Sequence, residues 1–509
     1  MSFIESVLNG VRRLLNLLQT VVIQERYTVE IRPPAQHRVN GGDPGVSKSH
    51  SPEITLNVTR QDGLRMKMKK SLIVLSVLLP LLLLTPVQGG TAKEEWNYVS
   101  VRKDANMFWW LYYADHPTKN YTQVPLVMWL QGGPGGSGCG FGNFAEIGPL
   151  DVNQKPRNSS WVQVASLLFV DNPVGTGYSY TTDSGAFAKD VDTISKDMLV
   201  LLREFFHSKP DFQTIPFYIF SESYGGKMAA AISLALHKAV LAGDIKCNFG
   251  GVALGDSWIS PIDSVLSWGP YLYSISLLDD NGLKEVQKAA DSVQDALNKG
   301  HYEEATEKWS WTEDVIEQNT DGVNFYNILT KDSLMSGVGG KNTPKFQNLA
   351  LGSLYRRHML PLQADNLSEL MNGPIRAKLK IIPDSVTWGG QAMDVFSNMA
   401  GDFMKPVVSV VDDLLCAGIN VTVYNGQLDL IVDTVGQEGW VKQLKWKKMD
   451  QFKSLRWKPL HLQSRETAAF YKSWENFGFF WILKAGHMVP SDQPETSLKM
   501  LRMITNQQE

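Results

Sequence analysis

The stretch Phe217-Tyr-Ile-Phe-Ser-Glu-Ser-Tyr-Gly-Gly226 joins an apolar run to a helical pattern that continues through 228–243. A strand that passes directly into a helix through a sharp turn is the setting of a nucleophile elbow, which lifts a serine out of the sheet. The residues two before and two after that serine must be small, and Ser221 and Gly225 meet this requirement around Ser223. The stretch therefore predicts that Ser223 is a nucleophile, although a structural serine in a tight turn would give the same pattern.

A nucleophilic serine on an elbow needs a histidine base later in the chain. His358, His461 and His487 are the candidates that follow the elbow. His487 is preferred, because it lies in a glycine-flanked loop directly after the apolar run 479–483 and can reach the carboxyl edge of a sheet.

The acid that orients the base should also follow a strand. Asp429 comes just after the apolar run 420–426, and Asp433 is the alternative four residues further on. The chain order Ser, Asp, His agrees with the order expected for an elbow enzyme. We therefore expect Asp429 to be the orienting acid.

Short apolar runs separated by helical patterns surround the elbow and indicate buried parallel strands in an α/β sheet. Besides 217–220, they occupy 124–130, 166–173, 249–256, 420–426 and 479–486. Residues 262–405 are instead polar and helix-forming. We expect this segment to be a mostly helical cap over the carboxyl edge of the sheet, where ligands bind. The core would then comprise 93–261 and 406–509.

Composition excludes several classes of protein. The 509 residues carry a net charge of −3, which argues against an electrostatic nucleic-acid binder. Only three cysteines occur and none forms a CxxC pair, so neither a disulfide scaffold nor a structural zinc site is expected. We expect no metal and no cofactor.

The glycine-rich segment 133–138 formally matches the G-x-G-x-x-G fingerprint of dinucleotide-binding proteins. That fingerprint needs a helix directly after the glycines, and Pro134 removes one amide from the loop. Nucleotide binding is therefore disfavoured. Backbone amides in such a loop can instead form an oxyanion hole.

The N-terminal region contains a sorting signal in an unusual position. The apolar run 71–87 follows basic residues and precedes small ones, which predicts a signal peptide over 66–92 that begins at Met66 or Met68. Residues 1–65 are interpreted as an extension that contributes nothing to the fold. A signal anchor over 71–87 is the alternative, although Pro80 and Pro86 interrupt it.

If the chain enters the secretory pathway, its four N-x-S/T sequons become possible N-glycosylation sites, because only a lumenal chain meets the glycosylation machinery. These sequons begin at Asn120, Asn158, Asn366 and Asn420. We expect a secreted or lysosomal glycoprotein without a stable membrane span.

Five blocks in the chain resemble the serine carboxypeptidases, the family of cathepsin A. They are Trp-Leu-Gln-Gly-Gly-Pro-Gly (129–135), Glu-Ile-Gly-Pro (146–149), Asp-Asn-Pro-Val-Gly-Thr-Gly-Tyr-Ser-Tyr (171–180), Glu-Ser-Tyr-Gly-Gly (222–226) and Gly-His-Met-Val-Pro (486–490). The resemblance implies an α/β-hydrolase fold and a hydrolase that removes single C-terminal residues from peptides or proteins at acidic pH. Carried onto this sequence, it implies that Ser223, Asp429 and His487 form the catalytic triad.

The same resemblance implies further roles. The amides of Gly133 and Tyr224 would form the oxyanion hole. Gln131, Glu146 and Glu222 would bind the terminal carboxylate of the substrate, with Gln131 standing where the family usually has asparagine. Two neighbouring carboxyls share a proton at low pH and can donate to that carboxylate, which favours acidic activity.

Alternatives remain on the same scaffold. An acyltransferase would use an alcohol in place of water, and a non-catalytic binding or chaperone-like protein would keep the triad without using it. The expected partner is the C-terminus of a peptide or protein rather than nucleic acid, and a homodimer stays open. The basic pair Arg356-Arg357 in the predicted cap is a candidate site for proteolytic maturation.

Overall fold

The structure is a computed structural model that describes residues 27–32, 55–60, 93–330 and 348–507. Its contacts divide the chain into 1–88 and 89–509. In the first unit, β1 (Tyr27–Arg32) and β2 (Thr55–Arg60) form an antiparallel pair. This pairing lies within residues 1–65, the extension that is expected to contribute nothing to the fold. The predicted signal peptide at 66–92 lies outside the described residues.

The second unit is built on one eleven-stranded sheet. Its strands are β3 (Glu94–Arg102), β4 (Ala105–Tyr112), β5 (Leu126–Leu130), β6 (Ser166–Val170), β7 (Tyr180–Thr181), β8 (Pro216–Glu222), β9 (Asn248–Gly255), β10 (Val421–Gly426), β11 (Lys458–His461), β12 (Thr467–Trp474) and β13 (Phe477–Ile482). They lie in the order β11-β12-β13-β10-β9-β8-β5-β6-β4-β3, with β7 paired to β4. The six strands from β13 to β6 are mutually parallel, and both edges are antiparallel.

Helices cover this sheet. They are α1 (Val191–Ser208), α2 (Tyr224–Leu241), α3 (Pro261–Ser274), α4 (Asp280–Asn298), α5 (Tyr302–Thr320), α6 (Leu349–His358), α7 (Asp365–Leu370), α8 (Arg376–Leu379), α9 (Ala392–Asn398), α10 (Val408–Cys416), α11 (Thr434–Gln443), α12 (Met449–Ser454), α13 (Val489–Asp492) and α14 (Pro494–Ile504). A ten-residue π-helix, Gly138–Ile147, follows the glycine-rich loop after β5.

The central strands are apolar because both faces of the sheet are covered. Every residue of β5 and β6 is buried. Alternate residues of β5 belong to different core clusters, since Met128 packs on one face and Val127 on the other. A continuous apolar run is the pattern expected for such doubly covered parallel strands. The six predicted strands are thereby confirmed.

Between β9 and β10, the described residues form helices and turns without a strand that joins the sheet. This stretch contains α3 to α10 and supplies residues that face the carboxyl edge of the sheet. The predicted α/β-hydrolase fold with a mostly helical cap is confirmed.

The four longer antiparallel edge strands are absent from the prediction. β3 and β12 mix buried residues with half-buried and exposed ones rather than forming a continuous apolar run. Edge strands with a partly solvated face give this weaker signal. β4 is buried at seven of its eight positions, and its apolar run 107–112 is not among the predicted strands.

The basic pair Arg356-Arg357 lies in the last turn of α6. Arg357 is 9% exposed and its guanidinium pairs with Glu313, Asp314 and Glu317 at 2.6, 3.0 and 2.7 Å. Arg356 is exposed. The expectation of an exposed basic pair is therefore wrong for Arg357.

Several surface features bear on the expectations from the sequence. Asn120, Asn158, Asn366 and Asn420 are all exposed. All three cysteines are free: Cys139 is buried, Cys247 half-buried and Cys416 exposed. Across the described ranges, no helix combines the length and the apolar character that a membrane crossing requires.

Candidate active site

The serine of the elbow stands between β8 and α2 in a strained conformation. Ser223 has φ 62° and ψ −131°, outside the regions that an L-residue normally occupies. Its amide donates to the carbonyl oxygens of Gly255 and Asp256, both at 3.1 Å. A Cβ on Gly225 would lie 2.4 Å from the carbonyl oxygen of Leu130, so this position requires glycine. The turn thus has the steric demands that the sequence predicts.

Ser221 replaces the glycine that commonly precedes a nucleophile by two positions. It is fully buried, and its Oγ donates to the carbonyl oxygen of Ala253 on β9 at 3.2 Å. The hydroxyl is therefore satisfied inside the sheet, which explains why serine is accommodated here.

His487 follows β13 and meets Asp429, which follows β10. Its Nδ1 lies 2.8 Å from Oδ2 of Asp429, and both side chains are buried. Nε2 of His487 has no hydrogen-bond partner among the described residues, and the ring lines one cavity together with Ser223. The amide of His487 donates to the carbonyl oxygen of Tyr326 at 2.8 Å, so the cap helps to fix the histidine loop.

Burial also sets the protonation of this histidine. It lowers the pKa of His487 to about 4, against the opposing effects of Asp256 and Asp492. The imidazole is therefore neutral, and able to accept a proton, well into the acidic range.

The other candidates for base and acid have different partners. His358 lines the cavity, but its Nε2 lies 2.9 Å from Glu313 and its Nδ1 lies 3.0 Å from the hydroxyl of Tyr326. His461 is exposed on β11. Asp433 caps α11 through the amide of Gly436 and accepts from Ser267, as an N-cap residue does.

The predicted oxyanion-hole residues line the same cavity. Gly133 and Tyr224 both belong to its wall. Tyr224 is the first residue of α2, so its amide has no acceptor within the helix. A Cβ on Gly132 would lie 2.5 Å from Cβ of Ser223, so the loop after β5 lies directly against the elbow.

The predicted carboxylate-binding residues form a buried cluster beside the elbow. Gln131 accepts from Nε1 of Trp129 and donates to Oε1 of Glu222, both at 2.7 Å. Oε2 of Glu222 and both carboxyl oxygens of Glu146 are buried without a hydrogen-bond partner in the described chain. Gln131 and Glu222 line the cavity, whereas Glu146 lies outside its wall.

These glutamates titrate unusually. Burial raises the pKa of Glu146 to about 7, although the neighbouring side chains of Glu222 and Gln131 oppose the rise. Burial, and then the negative charge of Glu146, raises the pKa of Glu222 well above its ordinary value. The pair therefore holds at least one proton in acidic solution.

The cap completes the cavity with apolar and aromatic walls. These come from Trp309, Tyr326, Leu362 and Phe403, together with Trp258 and Ile431 from the core. A substrate side chain entering beside Ser223 would meet mainly apolar surface.

Sequence reasoning missed one acidic side chain in this region. Asp256 directly follows β9 and is fully buried, and one of its oxygens lies within 4.8 Å of both Asp429 and His487. Asp256 ends the apolar run 249–256. An acidic residue at the end of such a run is the same pattern that identified Asp429 as a candidate.

Comparisons with known proteins agree with this geometry. The sequence profile of peptidase family S10, serine carboxypeptidase, matches residues 86–507. The chain is 64% identical over 418 residues to the retinoid-inducible serine carboxypeptidase of Mus musculus, covering 82% of this chain and 92% of the relative. The sequence block Gly-Asp-Ser-Trp-Ile-Ser-Pro (255–261), together with the low cysteine count, predicts this particular likeness.

More distant relatives extend the comparison. Serine carboxypeptidase-like 51 of Arabidopsis thaliana is 43% identical over 429 residues, covering 82% of this chain and 93% of the relative. Among solved structures, Kex1Δp, a prohormone-processing carboxypeptidase from Saccharomyces cerevisiae, has a TM-score of 0.70 at 22% identity. The match covers 83% of this chain and 92% of that chain, and it shows a shared fold.

Proposed function

This chain belongs to the serine carboxypeptidase family, and from that membership we propose that it releases single C-terminal residues from peptides or proteins at acidic pH through Ser223, Asp429 and His487. The enzyme class is a serine-type carboxypeptidase, a hydrolase. Beyond this enzyme class, we propose the three catalytic residues, a reaction through an acyl-enzyme, and activity at acidic pH.

One observation carries the assignment of residues. His487 directs Nδ1 to Asp429 at 2.8 Å, while its Nε2 is left without a partner in a cavity that Ser223 also lines. Nucleophilic catalysis needs a histidine whose Nδ1 is bound by an acid and whose Nε2 is free to accept the proton of a nearby serine.

The reaction follows from this arrangement. Oγ of Ser223 attacks the carbonyl carbon of the last peptide bond while its proton passes to Nε2 of His487, and Asp429 stabilises the imidazolium. The amides of Gly133 and Tyr224 donate to the oxyanion. His487 then gives the proton to the departing amine as the C–N bond breaks. Water, deprotonated by the same histidine, hydrolyses the acyl-enzyme and restores the serine.

Recognition of the substrate's terminal carboxylate accounts for the acidic range. Gln131 and the glutamate pair lie beside the elbow, and the protonated pair can donate to a carboxylate. Loss of that proton would leave an anionic site that repels the substrate. The low pKa of His487, about 4, keeps the base neutral where the pair is still protonated.

An acidic compartment such as the lysosome, reached through the secretory pathway, fits this pH range. The exposure of all four sequon asparagines supports glycosylation of a lumenal chain. Treatment of the protein from a secreting cell with an N-glycosidase, followed by mass measurement, tests this part.

The central experiment compares wild-type protein with Ser223→Ala on a peptide library with free C-termini and on the same peptides amidated. We expect wild type to release one residue from the free peptides near pH 5, and Ser223→Ala to be inactive but folded. Fluorophosphonate labelling should occur in wild type and be lost in the variant. Retained peptide hydrolysis by Ser223→Ala would refute the triad.

A further inference from the structure

Asp256 is held rigidly where the ends of three strands meet. Its amide donates to the carbonyl oxygen of Tyr424 at 2.9 Å, and its own carbonyl oxygen accepts from the amide of Ser223 at 3.1 Å. Its Oδ1 accepts from the amide of Gly426 at 2.7 Å. The backbone has φ 41°, a left-handed conformation that a non-glycine residue adopts only when its surroundings impose it. This side chain is therefore fixed by both the elbow and the strand that precedes Asp429.

The second oxygen of Asp256 lacks a donor. Oδ2 is buried, and no N–H or O–H group in the described chain donates to it. One oxygen of Asp256, one of Asp429 and a ring nitrogen of His487 all lie within 4.8 Å of one another. Two carboxyls this close in a buried site cannot both ionise without a large cost, so a proton is held between them.

The hydrogen bonds show which carboxyl takes the proton. Oδ2 of Asp429 binds His487 at 2.8 Å and its Oδ1 accepts from the amide of Val432 at 3.2 Å, so both oxygens are occupied as acceptors. Asp256 has one oxygen free to carry a hydrogen. Burial raises the pKa of both carboxyls well above their ordinary value; the charge of Asp429 adds to the rise for Asp256, whereas the side chain of Asp256 and the amide of Val432 oppose the rise for Asp429.

The groups around the pair favour a single negative charge on it. The titratable side chains that interact with Asp256 or Asp429, apart from His487, are Glu222, Tyr271, Tyr424 and Asp433, while Asp492 acts on His487. None of these groups is a cation, so none offsets a second negative charge on the two aspartates.

We propose that Asp256 is a positioning residue for the reaction: its protonated carboxyl donates an O–H···O hydrogen bond to Asp429 and holds that acid in line with His487. The proposal rests on the triad proposed above. Asp429 alone then carries the negative charge, and Asp256 acts only through it. When the shared proton is lost at higher pH, two anions face each other and the alignment of Asp429 is lost.

The test uses the rate of fluorophosphonate labelling of Ser223 from about pH 4 to about pH 9. This probe has no terminal carboxylate, so the glutamate pair does not contribute to its recognition. Asp256→Asn keeps the shape and Oδ1, and its amide donates at every pH. Asp256→Gly removes the donor while tolerating the positive φ.

We expect Asp256→Asn to label within about three-fold of wild type near pH 5 and to keep its rate at alkaline pH where wild type declines. Asp256→Gly should label at least about ten-fold more slowly at every pH, as happens when a supporting hydrogen bond is removed. If the glycine variant does not fold, the pH profile of the asparagine variant decides alone.

Three results would overturn the proposal. If Asp256→Asn is as slow as Asp429→Asn, Asp256 acts as an anion rather than as a donor. If the profiles of Asp256→Asn and wild type overlay, no proton is shared. If a folded Asp256→Gly labels like wild type, Asp256 does not position the acid. Normal labelling of Ser223→Ala would instead remove the triad itself, which distinguishes the two failures.

Discussion

Single side chains decide which acid pairs with His487. Asp429 and Asp433 are both buried and lie four residues apart, but only Asp429 contacts His487. We expect Asp429→Asn to reduce kcat by about 10⁴-fold, because an amide favours the wrong tautomer of the imidazole. Asp433→Asn serves as the matched control and should mainly weaken the start of α11. A larger loss of kcat in Asp433→Asn than in Asp429→Asn would reverse the assignment.

Glu222 offers a second test of a single side chain. Glu222→Gln should move hydrolysis of peptides with free C-termini toward neutral pH, because a glutamine amide donates at every pH. Wild type should lose activity as the pair gives up a proton near pH 7, the pKa to which burial raises Glu146. The measurement is kcat/KM from about pH 4 to about pH 8 for a peptide and its amidated form. An equal shift for both substrates would place the effect on His487 and contradict carboxylate recognition.

The sequence predicts the positions of the proposed triad because each follows an apolar run at the carboxyl edge of the sheet. It favours Asp429 over Asp433 only because Asp429 lies nearer to the end of the strand, since both follow the same strand and the turn between them decides which one faces His487. Asp256 was not predicted for a related reason. Its proposed role depends on the distance between two strand ends, which no local pattern encodes.

The strands and helices also differ in how far the sequence predicts them. The parallel strands were predictable because burial on both faces leaves a continuous apolar run, as in β5 and β6. β3 and β12 were not, because their mixture of buried and accessible residues resembles that of loops and of solvated helices. The internal geometry of the cap was also beyond prediction, since its helices are fixed by long-range pairs such as Arg357 with Glu313.

Those pairs make α6 a test of cap stability. Arg357→Met should lower the free energy of unfolding by about 3 kcal/mol, because buried Glu313 would lose a charged partner. Arg356→Met, one residue away on an exposed position, is the matched control and should change it by less than about 0.5 kcal/mol. Denaturant unfolding measures both. Equal effects would mean that the ion pairs of Arg357 do not secure the cap.

The acids buried throughout the chain make its stability depend on pH. Burial raises the pKa of Glu146 and Asp433 to about 7 and that of Asp171 to about 6. Groups whose pKa is raised on folding stabilise the native state below their unfolded pKa, and this contribution is lost as pH rises through the folded pKa. His487, with its pKa lowered to about 4, and His116, whose pKa burial also lowers, oppose the trend. We therefore expect the free energy of unfolding to fall between about pH 4.5 and about pH 7.

Denaturant unfolding at several pH values measures this slope. Glu146→Gln provides the control, because the amide keeps the shape of the side chain but cannot ionise. The variant should show a shallower decline than wild type, by roughly 1–3 kcal/mol over the range. A stability that rises steadily from acidic to neutral pH in wild type would contradict the expectation.

The three unpaired thiols have a practical consequence for handling the protein. No covalent cross-link between Cys139, Cys247 and Cys416 holds the described fold together, so a reductant such as dithiothreitol has no bond to break. We expect the melting temperature to be unchanged by reduction, and a chain begun at about residue 93 to be a suitable starting point for production in a reducing bacterial cytosol. The exposed thiol of Cys416, at the end of α10, is then a suitable site for attaching a fluorophore, because labelling there does not disturb the buried core.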